Sequence, residues 1–169
     1  MMGLVPVASL ILGFVTLERL AELGLARRNT ARLMRRGAVE YGASHYPLIV
    51  ALHAVWLAGL WALAWDAPVH LPWALVFFAL QVLRVWVLAT LGPRWTTRII
   101  VLPGMPLVTT GPYRLFSHPN YAVVVGEMAV LPLVFGLTWY ALGFSVLNAV
   151  IILIRVRAES AALAGHGTT

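Results

Sequence analysis

The chain has 169 residues, of which 61% are hydrophobic and 11% charged, with a formal net charge of +6 and no cysteine. Charged residues make up roughly a quarter of a soluble domain, so this chain has too few to cover a water-facing surface. Its mean hydropathy of +0.87 therefore indicates an integral membrane protein. The lack of cysteine excludes disulfides and thiolate metal sites.

Five apolar segments follow one another along the chain. Each crossing of the hydrocarbon core needs about 20 apolar residues, so we expect about five crossings and no separate soluble domain. The predicted fold is an all-α, polytopic membrane helical bundle that forms one integral membrane domain over residues 1–169. The predicted helices cover about 4–25, 47–65, 71–91, 121–135 and 139–157. The short link between the last two forces them into an antiparallel hairpin.

Arginines occupy alternate connections of this predicted bundle. They follow the first, third and fifth segments, whereas the links after the second and fourth contain none. By the positive-inside rule, this pattern predicts an outside N-terminus and a cytoplasmic C-terminus. The same clustering accounts for the positive net charge, so we do not expect nucleic-acid binding.

The connection 92–120 is unusually long. Loops beyond about 12–15 residues in compact proteins are mostly functional or disordered, and the aromatic and aliphatic residues of this one are not typical of disorder. Pro103-Gly104 between two apolar runs predicts a small hairpin. We therefore expect an ordered cytoplasmic cap over 92–120.

The end of this connection carries several candidate site residues. Pro119 biases His118 away from the helical conformation and fits the first turn of the next helix. His118 is therefore expected at the mouth of a helix, with Arg114 and Tyr121 nearby. Taken alone, these residues fit an interfacial belt of Tyr, His and Arg equally well.

A second group of polar residues recurs in the last helix. Spacings of three and four residues place Ser145, Asn148, Arg155 and Glu159 on one face. One interpretation is an ordinary interfacial Arg155–Glu159 pair, worth about half a kcal/mol or less. We favour a pocket wall that leads from the membrane interior to a charged mouth.

Two ionisable residues lie inside apolar segments. Glu127 and Arg84 are both roughly 9 Å or more from the same predicted membrane surface at helical rise. Charges at this depth face the bundle interior and either pair or mark a site. We predict an Arg84–Glu127 ion pair; a Glu127 that handles the substrate is the alternative.

Three stretches together resemble the isoprenylcysteine carboxyl methyltransferase family. They read Gly-Pro-Tyr-Arg-x-x-x-His-Pro-x-Tyr over 111–121, Arg-Val-x-x-Glu-x-x-x-Leu over 155–163, and Trp-Thr-Thr-Arg-Ile-Ile-Val-Leu-Pro-Gly over 95–104. The last stretch and Glu127 are similar to a small bacterial branch linked to O-methylation of long-chain alkylpyrones and related phenolic lipids. In one departure, the family commonly has two consecutive Glu, and Ser160 takes the second place here.

The resemblance implies a bacterial inner-membrane enzyme that binds S-adenosylmethionine on the cytoplasmic side. Its implied reaction methylates an oxygen of a lipophilic small molecule without a metal. The implied cofactor contacts come from His118, Tyr121, Arg155, Glu159 and Asn148. In this interpretation the catalytic residues are Glu127, Arg114 and Arg84, and either arginine would orient an acceptor oxyanion.

Other functions stay open on the sequence alone. The acceptor could be a prenylated cysteine carboxylate or a phospholipid amine. Membrane sterol-type reductases share a related C-terminal arrangement, but the 2′-phosphate of their NADPH would need a basic cluster, which the sequence does not show around Glu159. A small structural or transport protein would not explain an ordered cap. The oligomeric state is not predicted.

Overall fold

The computed structural model describes residues 5–164 as five helices and one small sheet. The helices are α1 (Val7–Met34), α2 (Tyr46–Ala64), α3 (Leu71–Leu91), α4 (Pro119–Val134) and α5 (Thr138–Ala164). Strands β1 (Val39–Tyr41) and β2 (Ile99–Val101) pair antiparallel, with Glu40 opposite Ile100. The predicted helical membrane bundle is confirmed.

Three stretches are long and apolar enough to cross a bilayer: Ala43–Ala64, Leu71–Arg94 and Thr138–Leu163. Helix α4 is shorter, and α1 carries Glu18, Arg19 and Glu22 near its middle. Length and composition therefore support three of the five predicted crossings. The other two helices depend on the bundle: nine of the 16 residues of α4 are buried, and the α1 charges pair inside it.

The apolar core lies towards the end of the bundle that carries the α2–α3 and α4–α5 links. Leu12, Leu60, Phe77, Leu131 and Val134 are among its buried residues, so α1, α2, α3 and α4 all contribute. Two contacts bind this end together. The backbone N–H of His70 donates to the Val134 carbonyl at 2.8 Å, and the Tyr140 hydroxyl donates to the Trp56 carbonyl at 2.8 Å. The cavities of the protein lie towards the opposite end of the bundle, beneath the cap.

Helix α1 continues to Met34 instead of ending near residue 25, so part of the predicted basic linker is helical. In this extension Arg27, Arg28 and Arg32 are exposed, while Ala26, Asn29 and Leu33 face inward at helical spacing. Asn29 donates to the carbonyls of Gly92 at 3.2 Å and Trp95 at 2.8 Å. Packing against the cap therefore extends this helix. Helix α5 likewise runs past residue 157 to Ala164.

The cap over 92–120 is folded, but the hairpin predicted at Pro103-Gly104 is wrong. A turn forms there, and the following residues 105–109 adopt no strand. The partner of β2 is instead β1, from the connection after α1. The Arg98–Glu40 ion pair, at 2.8 Å, joins the two strands. A distant segment thus takes the strand edge that a local hairpin would have used.

Candidate active site

Four of the predicted site residues converge where α4 begins and α5 ends. The His118 ring stacks on Tyr121 with centroids 5.5 Å apart. Arg155 donates from Nε to the Tyr121 hydroxyl at 3.4 Å, and Glu159 Oε2 lies 3.6 Å from His118 Nδ1. The convergence predicted from the short α4–α5 link is therefore present.

Local backbone geometry sets this arrangement. Pro119 occupies the first turn of α4, and His118 before it has φ −135° and ψ 62°, outside the helical region. The imidazole therefore lies at the helix mouth. Arg155 and Glu159 are one turn apart on α5, so both face α4.

A cavity of about 250 Å³ opens between these residues and the cap. We call it the polar cavity. Its lining includes His118, Tyr121, Arg155 and Glu159, together with Trp95 and Tyr113 from the cap. The cap thus supplies aromatic surface, and the helix ends supply charged and hydrogen-bonding groups.

The electrostatics of the polar cavity are uneven. Glu159 Oε2 is buried and has no hydrogen-bond partner among the described residues. Burial and, secondarily, the Glu159 carboxylate raise the pKa of Tyr113 to about 12, so this phenol stays a neutral donor at physiological pH. Arg94 and Arg98 add two cations to the lining. The cavity can therefore receive a ligand that carries both hydroxyl and anionic groups.

Arg155 is a fixed part of the wall. It is 7% exposed, and its Nη2 donates to the Thr97 carbonyl at 3.0 Å. The Thr97 hydroxyl in turn lies 3.1 Å from the Tyr46 hydroxyl. Arg155 therefore ties α5 to α4 and to the cap, and Tyr46 extends the chain of contacts to the start of α2.

A second cavity, of about 300 Å³, lies deeper among α1, α2, α4 and α5. We call it the apolar cavity because aliphatic side chains such as Leu23, Leu57 and Ile152 dominate its lining. Asn148 lines this cavity and is absent from the lining of the polar one. It lies two turns, about 10 Å at helical rise, deeper along α5 than Arg155. The structure thus separates Asn148 from the cofactor contacts with which it was predicted.

The two cavities share part of their lining. Trp95, Thr96, Asn120, Tyr121 and Arg155 line both. Trp95 Nε1 donates to Asn120 Oδ1 at 3.3 Å, which fixes one side of the boundary. We call this boundary the junction. A group in the polar cavity and a group in the apolar cavity would meet there.

The family model for isoprenylcysteine carboxyl methyltransferases (ICMT) matches residues 73–165. This span contains all three stretches that carry the resemblance, the cap and the α4–α5 pair. The chain belongs to the ICMT family. Members of this family are methyltransferases, and the three long apolar helices make this member an integral membrane protein.

Two relatives align over nearly their full lengths. The chain is 38% identical over 159 residues to the uncharacterized protein YpbQ of Bacillus subtilis (strain 168), covering 91% of this chain and 95% of that protein. It is 24% identical over 152 residues to an uncharacterized protein of Haemophilus influenzae (strain ATCC 51907 / DSM 11121 / KW20 / Rd), covering 86% and 88%. No solved structure is significantly similar.

In this family member, Arg84 and Glu127 form the predicted ion pair. Arg84 donates to Glu127 from Nε at 2.6 Å and also from Nη2. It donates in addition to Glu22 at 2.8 Å, while Arg19 and Gln81 donate to Glu127 at 3.1 and 2.9 Å. The pair is thus part of a larger charge network, which we define as Glu18, Arg19, Glu22, Gln81, Arg84 and Glu127. Glu127 is absent from the lining of both cavities.

Arg114, predicted as an oxyanion-orienting residue, lies outside the site. It ends the short 3₁₀ turn Gly111–Arg114, in which Pro112 is buried and Tyr113 lines the polar cavity. The next side chain therefore points outward, and Arg114 is exposed and lines neither cavity.

Sequence reasoning assigned no site role to Trp95, Tyr113, Asn120 and His53, although each lines a cavity. The first three fall within or beside the family motifs, and His53 is the one ionisable residue that interrupts its apolar segment. Position in a family motif, and an ionisable residue inside an apolar segment, are therefore the sequence signals that could have identified these four residues. The expectation that no basic cluster lies near Glu159 is also corrected, because the cap brings Arg94 and Arg98 to the polar cavity from positions remote in sequence.

Proposed function

We propose that this membrane protein transfers a methyl group from S-adenosylmethionine to an oxygen of a lipophilic substrate of the long-chain alkylpyrone or phenolic-lipid type. The observation that carries the proposal is the junction. A polar cavity and an apolar cavity meet at Tyr121, Asn120 and Arg155. A polar cofactor and a lipid-like acceptor need such an arrangement.

The polar cavity fits the cofactor chemically. The buried Glu159 Oε2, which has no hydrogen-bond partner among the described residues and lies 3.6 Å from His118 Nδ1, would accept hydrogen bonds from ribose hydroxyls. Arg94, which donates to the Pro106 carbonyl at 2.5 Å, brings a cation to the cavity for the amino-acid carboxylate. Trp95 and Tyr113 offer aromatic surface for the adenine ring. His118 would complete this set beside Glu159.

When bound, S-adenosylmethionine supplies a sulfonium methyl, whose carbon bonds to the acceptor oxygen as the bond to sulfur breaks and sulfur keeps the electron pair. The protein's task is then mainly positioning. An enol or carboxylic acid acceptor loses its proton to water before it binds. A phenol, with a pKa of about 10, would lose its proton to water as it binds beside Arg155, because the guanidinium charge favours the oxyanion. Arg155, fixed by Thr97 and Tyr121, would hold the oxyanion at the junction.

The apolar cavity favours a substrate with a long tail. Its aliphatic lining suits an alkyl or acyl chain, and burying each CH₂ of such a chain contributes about 0.8 kcal/mol. The charge network borders this cavity through Arg19, Glu22 and Arg84. Since Arg84 is held by two carboxylates, Arg155 is the better candidate to bind the acceptor.

The proposal is tested with purified protein in lipid nanodiscs. Calorimetry should detect binding of S-adenosylmethionine and S-adenosylhomocysteine, and no comparable binding of NADPH. Labelled methyl should then pass to a long-chain 4-hydroxy-2-pyrone or alkylresorcinol. Transfer to a farnesylated cysteine or phosphatidylethanolamine instead would replace the substrate class, and tight NADPH binding without S-adenosylmethionine binding would overturn the reaction.

A further inference from the structure

Asn148 is a buried amide without a partner. It is 1% exposed, and neither Nδ2 nor Oδ1 has a hydrogen-bond partner among the described residues. A buried polar group left unpaired costs about 1–3 kcal/mol, and such groups in native structures call for an explanation. A side chain that bears this cost on both of its polar atoms indicates a ligand group that pairs with it.

The surroundings of Asn148 leave that pairing to a ligand. The amide lines the apolar cavity together with aliphatic residues such as Val124, Ile151 and Ile152, which offer no side-chain donor or acceptor. His53, across the cavity on α2, engages the Ile49 carbonyl through Nδ1 at 2.9 Å. A molecule in this cavity must therefore bring its own hydrogen-bonding group to Asn148. The amide presents both a donor and an acceptor, which a hydroxyl or a ring carbonyl can match.

The position of Asn148 separates this group from the reacting one. Asn148 and Arg155 lie on the same face of α5, two turns apart, or about 10 Å along the axis. In the proposed function, methyl transfer takes place at the junction, beside Arg155 and Tyr121. The group that pairs with Asn148 is therefore a second polar group on the substrate, deeper in the membrane than the oxygen that is methylated.

We propose that Asn148 is a specificity residue that selects substrates whose head is a ring with two oxygen functions. One oxygen is methylated at the junction, and the other hydrogen-bonds to the Asn148 amide, while the alkyl tail fills the rest of the apolar cavity. The proposal rests on the proposed function and narrows its substrate class. A site built to pair with a polar group discriminates strongly against an analogue that lacks it, because its own buried group is then left unpaired.

The test uses two ligands that differ by one hydroxyl. A 5-alkylresorcinol and a 3-alkylphenol with the same alkyl chain are titrated into the full-length protein in nanodiscs with S-adenosylhomocysteine present. We expect the wild-type protein to bind the resorcinol at least about tenfold more tightly, which corresponds to about 1.4 kcal/mol. In Asn148→Leu, or Asn148→Ala if leucine lowers the yield, this ratio should fall to within about twofold.

Ser145→Ala is the matched control. The Ser145 hydroxyl is also buried without a partner, on the same helix, but Ser145 is absent from the lining of both cavities. This variant should keep the wild-type ratio. Equal binding of the two ligands by the wild type, no binding of either, or an unchanged ratio in both Asn148 variants would each overturn the proposal. If S-adenosylhomocysteine does not bind, the proposed function fails, and the ratio measured without it still decides the role of Asn148.

Discussion

The bundle contains two buried polar regions that are built in opposite ways. In the charge network, Arg84 donates to both Glu127 and Glu22, and Arg19 donates to the same two carboxylates. In the two cavities, by contrast, Glu159 and Asn148 keep buried polar atoms without hydrogen-bond partners among the described residues. The network pairs its charged groups with one another, although Gln81 Oε1 has no hydrogen-bond partner among the described residues. The cavities instead present unpaired polar atoms to open space.

The difference separates structure from function. A buried charge needs partners, because desolvation costs several kcal/mol per ion, and the network supplies them between α1, α3 and α4. An unpaired buried group that lines a cavity does not stabilise the folded protein, so its retention points to a ligand; unpaired groups away from the cavities, such as the Ser145 hydroxyl, do not meet this criterion. By this criterion we expect Glu127 to stabilise the fold, and Glu159 and Asn148 to bind ligands. Each of the following predictions breaks or sharpens that division.

The largest expected effect is all-or-none and concerns the side on which the cavities open. The arginine pattern predicts that the cavity end of the bundle faces the cytoplasm. A reporter fused after Thr169 should therefore be active only as a cytoplasmic fusion. One inserted into Asp66–His70, at the opposite end, should report an external location. Both reporters on the same side would contradict the predicted orientation.

Removal of Arg84 should cause the largest loss of stability. In Arg84→Met, Glu127 and Glu22 lose their principal buried partner, and breaking a buried ion pair costs about 3–5 kcal/mol. We expect a large fall in thermal stability, measured in detergent without ligand. The exposed Arg35→Met, which removes the same charge, should change it little.

A double variant sharpens this result. Arg84→Met with Glu127→Met should recover part of the loss, but not all of it, because Glu22 loses its contact with Arg84 in both variants. A Glu127→Gln variant with wild-type thermal stability but no methyl-transfer activity would contradict a purely structural role for the network. That outcome would make Glu127 a participant in the reaction.

The sequence predicts the helices of this protein well because hydrophobic segments of membrane length are a strong signal. It also predicts the meeting of His118 and Glu159, since a three-residue link forces α4 and α5 to be antiparallel. The Arg84–Glu127 pair is predicted because both residues lie at a similar depth from the same membrane surface. These features depend on short-range order or on one coordinate, the distance from the membrane surface.

Other features depend on packing between distant segments, which one sequence does not reveal. The pairing of β2 with β1 displaced the expected hairpin, and Asn29 held α1 helical beneath the cap. The outward orientation of Arg114 was not predicted for a related reason. Arg114 lies in a family motif, but a 3₁₀ turn points its side chain away from the cavity that Tyr113 lines. Proximity in sequence did not mean proximity in the site.

Cofactor binding should respond more moderately to substitutions in the polar cavity. We expect Glu159→Ala and Arg155→Ala each to weaken S-adenosylmethionine binding about tenfold or more, or roughly 1.4 kcal/mol. Glu159 would bind the ribose, and Arg155, besides facing the acceptor, forms part of the wall of the polar cavity. Glu159 is partly exposed, so its loss should leave stability without ligand nearly unchanged. Arg155 is buried and bonded to the Thr97 carbonyl, so Arg155→Ala should also lower stability. Unchanged affinity in both variants, measured by calorimetry, would remove these residues from the cofactor site.

The smallest expected effect is a gain in stability, whereas the substitution of Arg84 is expected to cause a loss. If Asn148 and Ser145 bear unpaired polar groups in the protein without ligand, removing those groups should stabilise it. Asn148→Leu and Ser145→Ala should each raise the unfolding free energy by about 1 kcal/mol, since an unsatisfied buried group costs about 1–3 kcal/mol. The unfolding free energies of both variants, the wild type and Arg84→Met are compared by thermal or denaturant unfolding in the same detergent without ligand.

The two variants should then diverge when ligand is added. Asn148→Leu should gain less stabilisation from an alkylresorcinol than the wild type does, because binding no longer satisfies the amide, whereas Ser145→Ala should gain as much. A loss of stability in Asn148→Leu without ligand, comparable to that of Arg84→Met, would place Asn148 with the structural network. If Asn148→Leu is more stable than the wild type without ligand and is stabilised less by the alkylresorcinol, then Asn148 serves binding and lowers the stability of the free protein.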